Sequence, residues 1–397
     1  MKIFLRIIFI VIFFLIIIGV IAFARGYRYD PNQRTISSTG ILAISSSPKA
    51  AKVFVNGILK GATDLNLTLS PGTYTVEIKK DGYTSYKNTL TLKGELVETV
   101  DPILFPINPS LGPLTNLGIV KAVPVDQSDK VLLFSENSPE NKNGIYLFDA
   151  ASTPLSLFPP LKTLLLSSKI PYDIDMSKAN VYFSFDFKQA IFEFPVKDTE
   201  ASVSYLLSLD AENQEPFDVS VSKENLLAAW QKEKDDDTQK VLESFPKAIQ
   251  PIASDSFSII SFAPDQTKIL YKAKKPLTLP LIIKPPLIAA DQAPESRSLA
   301  QNYIYVYDKK EDKNFQLGDN KLNPASLLWY SDSKRIIYNE GKQISISLYD
   351  GQTKQIVYSG PIEEGFFSVT SNGRLLILAN LNPVSNKLPD LYQVGIR

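Results

Sequence analysis

Asp265-Gln266-Thr267-Lys268-Ile269-Leu270-Tyr271 and Asp332-Ser333-Lys334-Arg335-Ile336-Ile337-Tyr338 share one build, a short polar turn feeding an apolar strand. Weaker copies run over Gln127–Leu133, Ser177–Phe183, Lys223–Ala229 and Ser371–Ile377. Several continue into a second apolar strand ending in Asp, at Ile145–Asp149, Tyr303–Asp308 and Ser345–Asp350. Such repeats decide an architecture, because one unit cannot bury its apolar face alone. The first apolar residues of the copies, Val131, Val181, Leu227, Ile269, Ile336 and Leu375, lie 50, 46, 42, 67 and 39 residues apart. All but the 67 match the roughly 40–50 residues of a four-stranded propeller blade. The 67 contains a proline-rich insertion, Lys275–Ala300. Six copies predict a six-bladed β-propeller over residues 107–397. An open sheet edge invites aggregation, so Leu391–Arg397 is expected to close the last blade against a strand near Gly118–Val123.

The lead-ins Phe262-Ala263-Pro264-Asp265 and Trp329-Tyr330-Ser331-Asp332 resemble TolB-like propeller repeats, in which an aromatic, Ser or Ala, Pro and Asp precede Lys-Ile-x-Tyr. That resemblance implies a fold and no particular activity.

Composition narrows the chemistry. The 397 residues exceed one hydrophobic core. Lys plus Arg equals Asp plus Glu at 42 each, which leaves no basic field for nucleic acid. With no histidine and no cysteine, Ser–His–Asp, Cys–His and HExxH chemistry, thiolate metal sites and disulfides are excluded. Carboxylate pairs, Lys and Tyr remain as catalytic groups.

Ile3 to Ala24 is almost unbroken Ile, Phe, Leu and Val, interrupted by Arg6 and Gly19. About 20 apolar residues at 1.5 Å each span a bilayer core of about 30 Å. Ala22-Phe23-Ala24 has the small-x-small form of a cleavage site, but the stretch is longer than a cleavable segment of roughly 7–15 residues. The expectation is an uncleaved single-pass anchor over residues 1–24. Lys2 and Arg6 precede the span and Arg25, Arg28 and Arg34 follow it, so charge leaves the orientation open. The β-rich, Cys-free remainder favours an extracytoplasmic C-terminal side. Tyr27 and Tyr29 stand where an interfacial aromatic belt would lie, and residues 25–39 read as a short linker.

Residues 40–106 alternate with period two between turn signals. Val53 and Val55 end at Asn56-Gly57, a tight-turn pair. Leu65, Leu67 and Leu69 share a face, as do Tyr74, Val76 and Ile78, and Asp81-Gly82 turns the chain into Tyr86–Leu92. A small antiparallel β-sandwich follows. Ser47-Pro48, Val53-Phe54-Val55-Asn56-Gly57, Gly61-Ala62-Thr63, Ser70-Pro71-Gly72-Thr73 and Gly82-Tyr83 together resemble the PEGA domain, with Asp64 where proline is usual. The resemblance implies a surface-exposed β-domain of prokaryotic envelope proteins used for binding or spacing, and it supplies no catalytic residue.

Each candidate site has a plainer competing explanation. Asp235-Asp236-Asp237 could chelate Ca²⁺, but the run lacks alternating spacing and is flanked by lysines, so a solvated hairpin tip is expected. Asp173 and Asp175 would share one strand face and could hold a cation. Trp230 and Trp329 are expected in blade cores rather than on a carbohydrate. The insertion is apolar and proline-rich at once, and proline resists regular pairing. Pro276, Leu277, Leu279, Leu281, Ile282, Ile283, Pro285, Pro286, Leu287 and Ile288 are therefore either packed as a loop over the sheets or exposed as an interaction site. No catalytic, cofactor or metal residue is assigned. The combined expectation is a prokaryotic envelope protein, anchored by residues 3–24 and non-catalytic, which binds a protein or a surface glycan. The alternative is a carboxylate-based hydrolase or lyase acting on a surface glycan at the propeller mouth.

Overall fold

The computed structural model describes residues 2–24, 26–30, 35–126, 128–136, 142–151, 160–287, 292–363, 365–384 and 387–396. The chain divides into two compact units: Met1–Ile107 with Pro285–Ala293, and Asn108–Lys284 with Pro294–Arg397.

The first unit begins with α1 (Lys2–Ala24). Its Arg6–Ala24 segment has a mean hydropathy of 3.5 and is 0% buried, so apolar side chains face outward all round. The helix ends where Gly26 donates its N–H to the Phe23 carbonyl at 3.1 Å. The stretch expected as a linker contains a two-stranded ribbon, β1 (Tyr27–Asp30) paired with β2 (Thr35–Ser38). The ribbon returns the chain to its start, because the Thr39 N–H and hydroxyl both donate to the Gly26 carbonyl at 2.8 and 2.7 Å. Gly26 holds a φ of +85°, a left-handed conformation that other residues rarely adopt.

A sandwich follows: β3 (Gly40–Ile44), β4 (Lys52–Val55), β5 (Ile58–Ala62), β6 (Leu65–Leu69), β7 (Gly72–Lys79), β8 (Tyr86–Leu92) and β9 (Val97–Val100). One sheet has the order β6-β3-β9 and the other β5-β4-β7-β8. Leu42, Ile44, Val53, Val55, Val76, Ile78, Leu90 and Leu92 fill the space between them, the set that period-two alternation selects. Asn56 and Gly57 both have positive φ, as a two-residue hairpin turn requires. One pairing departs from the all-antiparallel expectation. β9 runs parallel to β3, because residues 93–96 carry the chain across to the other sheet before pairing resumes.

The second unit contains five four-stranded sheets among the described residues. After β10 (Ser110–Pro113), the first sheet is β11 to β14 (Ile119–Pro124, Lys130–Ser135, Gly144–Asp149, Leu161–Leu166), and the second is β15 to β18 (Asn180–Phe183, Gln189–Pro195, Ser202–Ser208, Phe217–Asp218). Helices α2 (Lys223–Glu243) and α3 (Gln250–Ser256) come next. The third sheet joins β19 (Phe257–Phe262), β20 (Lys268–Ala273), β23 (Ile304–Asp308) and β24 (Lys313–Gln316), interrupted by the small hairpin β21 (Leu277–Thr278) and β22 (Ser298–Leu299). The fourth is β25 to β28 (Leu327–Trp329, Arg335–Asn339, Gln343–Leu348, Gln355–Ser359). The fifth combines β29 (Phe367–Val369), β30 (Leu375–Ala379) and β31 (Asp390–Gly395) with β10 from the start of the unit.

One turn marks equivalent positions in all five sheets. A backbone N–H on the entering side donates to a carbonyl on the leaving side, in the pairs Val125–Lys130, Ser184–Gln189, Ala263–Lys268, Tyr330–Arg335 and Thr370–Arg374, all at 2.8–3.0 Å. The equivalent apolar residues are therefore Val131, Ala190, Ile269, Ile336 and Leu375. Two of the six expected copies are corrected. Val181 lies on the first strand of its sheet, where Val131 and its equivalents lie on the second; the turn that matters there is Ser184–Gln189. Leu227 lies in α2. Its neighbours Lys223, Glu224, Ala228, Ala229, Gln231 and Lys232 are strong helix formers, and Leu226, Leu227 and Trp230 recur at helical spacing.

Neighbouring sheets share cores. Phe134 and Ile145 pack with Phe192 and Leu207, joining the first and second sheets. Leu270 and Val306 pack with Trp329 and Ile336, joining the third and fourth. Leu376, Leu378 and Leu391 pack with Val131 and Leu133, joining the fifth to the first. The repeat turns are also linked: Ser333 Oγ accepts from the Asp265 N–H, the Tyr330 hydroxyl donates to the Gly373 carbonyl, and Ser371 donates to the Asp129 carboxylate. The start and end of the unit do pair, but through Ser110–Pro113 rather than Gly118–Val123. The latter is needed as the first strand of its own sheet, where Val123 opposes Leu132.

Candidate interaction site

Pro276 and Pro280 carry no N–H, so strand pairing here is limited to Leu277–Thr278 with Ser298–Leu299 and leaves the backbone that follows without a ladder. The third sheet supplies the missing partners from its side chains. Asp312, in the turn between β23 and β24 and only 1% exposed, accepts the N–H groups of Ile282 and Ile283 at 2.6 and 2.9 Å. The Tyr307 hydroxyl donates to the same carboxylate at 3.0 Å, and the Arg297 guanidinium lies 3.4 Å away. Arg297 in turn donates to the carbonyls of Pro280, at 2.7 Å, and of Asp312. Asn314 donates to the Ser296 carbonyl at 2.7 Å and accepts the Tyr271 hydroxyl at 2.8 Å. Burial pushes the Tyr307 and Tyr271 hydroxyls up from their ordinary value, so both remain neutral donors across the ordinary pH range.

This fastening sorts the ten expected contact residues. Leu279 is 2% exposed and joins the third sheet's core beside Leu299, with Leu277 and Ile282 packed against it. Ile283 is half-buried. Pro276, Leu281, Pro285, Pro286 and Leu287 are exposed, Leu281 at 37% and Leu287 at 46%. Ile288 lies outside the described residues. Pro285–Ala293 groups with the first unit although the chain enters and leaves it from the second. The insertion thus contains both packed and exposed residues, with Pro276 and Leu281 exposed among packed neighbours.

The other candidates resolve differently. Asp235, Asp236 and Asp237 lie within α2 rather than at a hairpin tip, where the helix formers around them prevail. Among the described residues no group of three or more Asp or Glu is arranged to hold a metal ion. Asp173 pairs with Lys197 at 3.1 Å, and Asp175 pairs with Lys178 at 3.0 Å. The Ser177 hydroxyl is the larger cause that draws the Asp175 carboxyl down to about 2. Trp329 is in a sheet core as expected. Trp230 is not, being half-buried on α2.

Asp312, Asn314 and Arg297 were not singled out from sequence, because Asp312-Lys313-Asn314 reads as an ordinary hairpin turn. Alternation gives no signal for Asn314, since it puts this residue opposite Phe315 and on the face of the exposed Gln316, and only pairing with Tyr307 shows it buried.

A family described as PEGA domain matches residues 39–101. No curated protein matches the chain in sequence. Among solved structures, the chain is similar to a TolB from Agrobacterium tumefaciens at 13% identity and a TM-score of 0.21, covering 68% of this chain and 70% of that one. It is similar to the β-propeller domain of the Trilobed protease from Pyrococcus furiosus at 12% identity and a TM-score of 0.16, covering 87% and 79%. An oligogalacturonate lyase in complex with manganese is matched at 10% identity and a TM-score of 0.16, covering 89% of this chain and 64% of that one. At these scores the structures carry no activity across. Residues 39–101 thus match the PEGA domain, and the unit that follows is built of four-stranded sheets.

Proposed function

We propose that this is a single-pass, membrane-anchored envelope protein with a non-catalytic binding or scaffolding role, its β-units lying outside the cytoplasm. The observation that carries the reading is α1: a 23-residue apolar helix with no buried face, joined through the Gly26–Thr39 clasp to a PEGA domain. A helix apolar all round and unburied needs lipid around it. The binding partner is a protein that meets the insertion at Leu281, an exposed apolar side chain beside the Ile282–Ile283 backbone that Asp312 holds. Rigid apolar groups lose little freedom on binding, which favours them as anchors.

Two measurements test this. Membranes carrying the full chain are extracted with alkaline carbonate and treated from outside with protease. Retention in the membrane with digestion of the sheets is expected, and release by carbonate or full protection would overturn the reading. A photo-crosslinker at position 281 is expected to give one discrete protein adduct that a crosslinker on the exposed face of α2, at position 236, does not give. Equal labelling from both positions would remove the insertion from the binding role.

A further inference from the structure

Asn66-Leu67-Thr68 is the one place in the chain where asparagine is followed two residues on, with no proline between, by Ser or Thr. Asn108-Pro109-Ser110 has the spacing but a forbidden middle residue. Such a triplet is the acceptor for an N-linked glycan, which is attached to the asparagine carboxamide. A bare triplet is a weak signal, and its place in the fold decides its worth. Here it lies on β6, where Leu65, Leu67 and Leu69 pack toward the sandwich core while Asn66 and Thr68 point to the opposite face and are exposed. Among the described residues the Asn66 side chain has no hydrogen-bond partner. Its neighbour across the ladder is Ala43, with Thr99 of β9 beyond, so short side chains leave room around it.

The strand supplies a second observation. The sandwich has four edge strands, and an edge offers unpaired N–H and C=O groups to any chain that can add to it. Three of them carry a charge within the strand: Lys60 on β5, Lys87 on β8 and Glu98 on β9. β6 carries no charge and no proline. In the row of Thr68, on the same outward face, stand Ile41 and Val97, 41% and 54% exposed. The edge without the ordinary protection is the one that holds the acceptor triplet, and a bulky, hydrated sugar chain there blocks strand addition and lies over the apolar pair. We propose that Asn66 is an N-glycosylation site, with Thr68 as the hydroxyl that marks it for the transferase. The proposal rests on the extracytoplasmic placement of the β-units proposed above. The donor is a lipid-linked oligosaccharide whose first sugar is joined through its anomeric carbon to phosphate. Asn66 Nδ2 bonds to that carbon and the carbon–oxygen bond to phosphate breaks. The lipid phosphate leaves with the electron pair, and Nδ2 gives one proton to a base of the transferase.

The test uses the full chain isolated from the membranes of its own cells, unchanged and as Asn66→Gln, Thr68→Ala and Thr68→Ser. Trypsin releases Gly61–Lys79 as one peptide, in which Asn66 is the only asparagine. The unchanged chain and Thr68→Ser are expected to give that peptide with an added sugar mass, which fragmentation places on Asn66. Asn66→Gln and Thr68→Ala are expected to lose the added mass completely. A bare peptide from the unchanged chain would overturn the proposal, as would a sugar mass that survives in Asn66→Gln or Thr68→Ala. Protease applied to intact cells separates this failure from that of the underlying reading. A bare peptide from a chain whose sheets are digested from outside removes the glycan alone, and a bare peptide from a protected chain removes both.

Discussion

Two long excursions interrupt the second unit, both beside the third sheet, and they are held by opposite means. The helical one, α2 with α3, satisfies its own backbone and needs only an apolar stripe: Leu242, Phe245, Ile249 and Ala253 are buried against Phe257, Ile269, Tyr271 and Tyr307. The proline-rich one contributes Leu279 and Leu299 to that same core, but its ladder is only the short pairing of Leu277–Thr278 with Ser298–Leu299, and beyond it Asp312, Asn314 and Arg297 take the place of one. A segment that makes its own hydrogen bonds can be placed by apolar burial alone. One that cannot must be met by buried polar side chains, at the cost of desolvating them.

The sharpest way to break this contrast is Asp312→Ala. It strips two N–H groups and Arg297 of their acceptor, and removing one partner of a buried pair costs about 3–5 kcal/mol. Chemical denaturation should show that loss, and limited proteolysis should begin cutting after Lys284 and Arg297. Stability within 1 kcal/mol of the unchanged chain would mean that the insertion is held by Leu279 alone.

Leu242→Ala comes next, at about 2–4 kcal/mol for a deleted buried side chain. Its effect should appear as faster hydrogen exchange in α2, with the amides of Leu279, Ile282 and Ile283 protected as before. Coupled loosening of both excursions would show that they share one support.

The pair Glu193–Lys223 ties the start of α2 to the second sheet at 2.6 Å, with side chains 15% and 18% exposed. Lys223 is the leading cause that holds the Glu193 carboxyl below its ordinary 4.5, and Glu193 holds Lys223 above its ordinary 10.5. A lowered acid stabilises above its unfolded value and loses that contribution as pH falls through the folded one. A raised base stabilises below its unfolded value and loses it as pH rises through the folded one. Glu193→Gln should therefore cost about 1 kcal/mol near neutral pH. Its stability should converge with the unchanged chain below pH 4.5. A difference that persists well into acid would put the glutamate's role in packing.

The smallest effect belongs to Asp235, Asp236 and Asp237. Changing all three to Ala should move stability by no more than about 0.5 kcal/mol per site, and added Ca²⁺ should not shift the melting temperature of either chain. A Ca²⁺-dependent shift lost in the variant would restore these residues as a cation site.

Local signals were legible wherever the backbone's needs are local. Asn56-Gly57 announced its hairpin because two consecutive positive φ values restrict the residue choice, and Val76, Ile78, Leu90 and Leu92 announced their face through alternation. The apolar span of α1 is set by composition alone. The repeat was legible as a turn followed by a strand, but Ser177–Phe183 and Ser184–Gln189 both have that form, and only pairing distinguishes them. Lys223–Ala229 has it as well, and lies in a helix that runs on to Glu243.

The amino-acid order by itself determined the leading apolar helix, the PEGA strands and the repeated turns, because each depends on residues within one or two turns of chain. Tertiary structure alone decided that Ser110–Pro113 completes the last sheet and that Asp312 receives Ile282 and Ile283. Those contacts join residues as much as 285 positions apart, and a hydrogen-bonding side chain carries no mark in sequence of which distant backbone group it will meet.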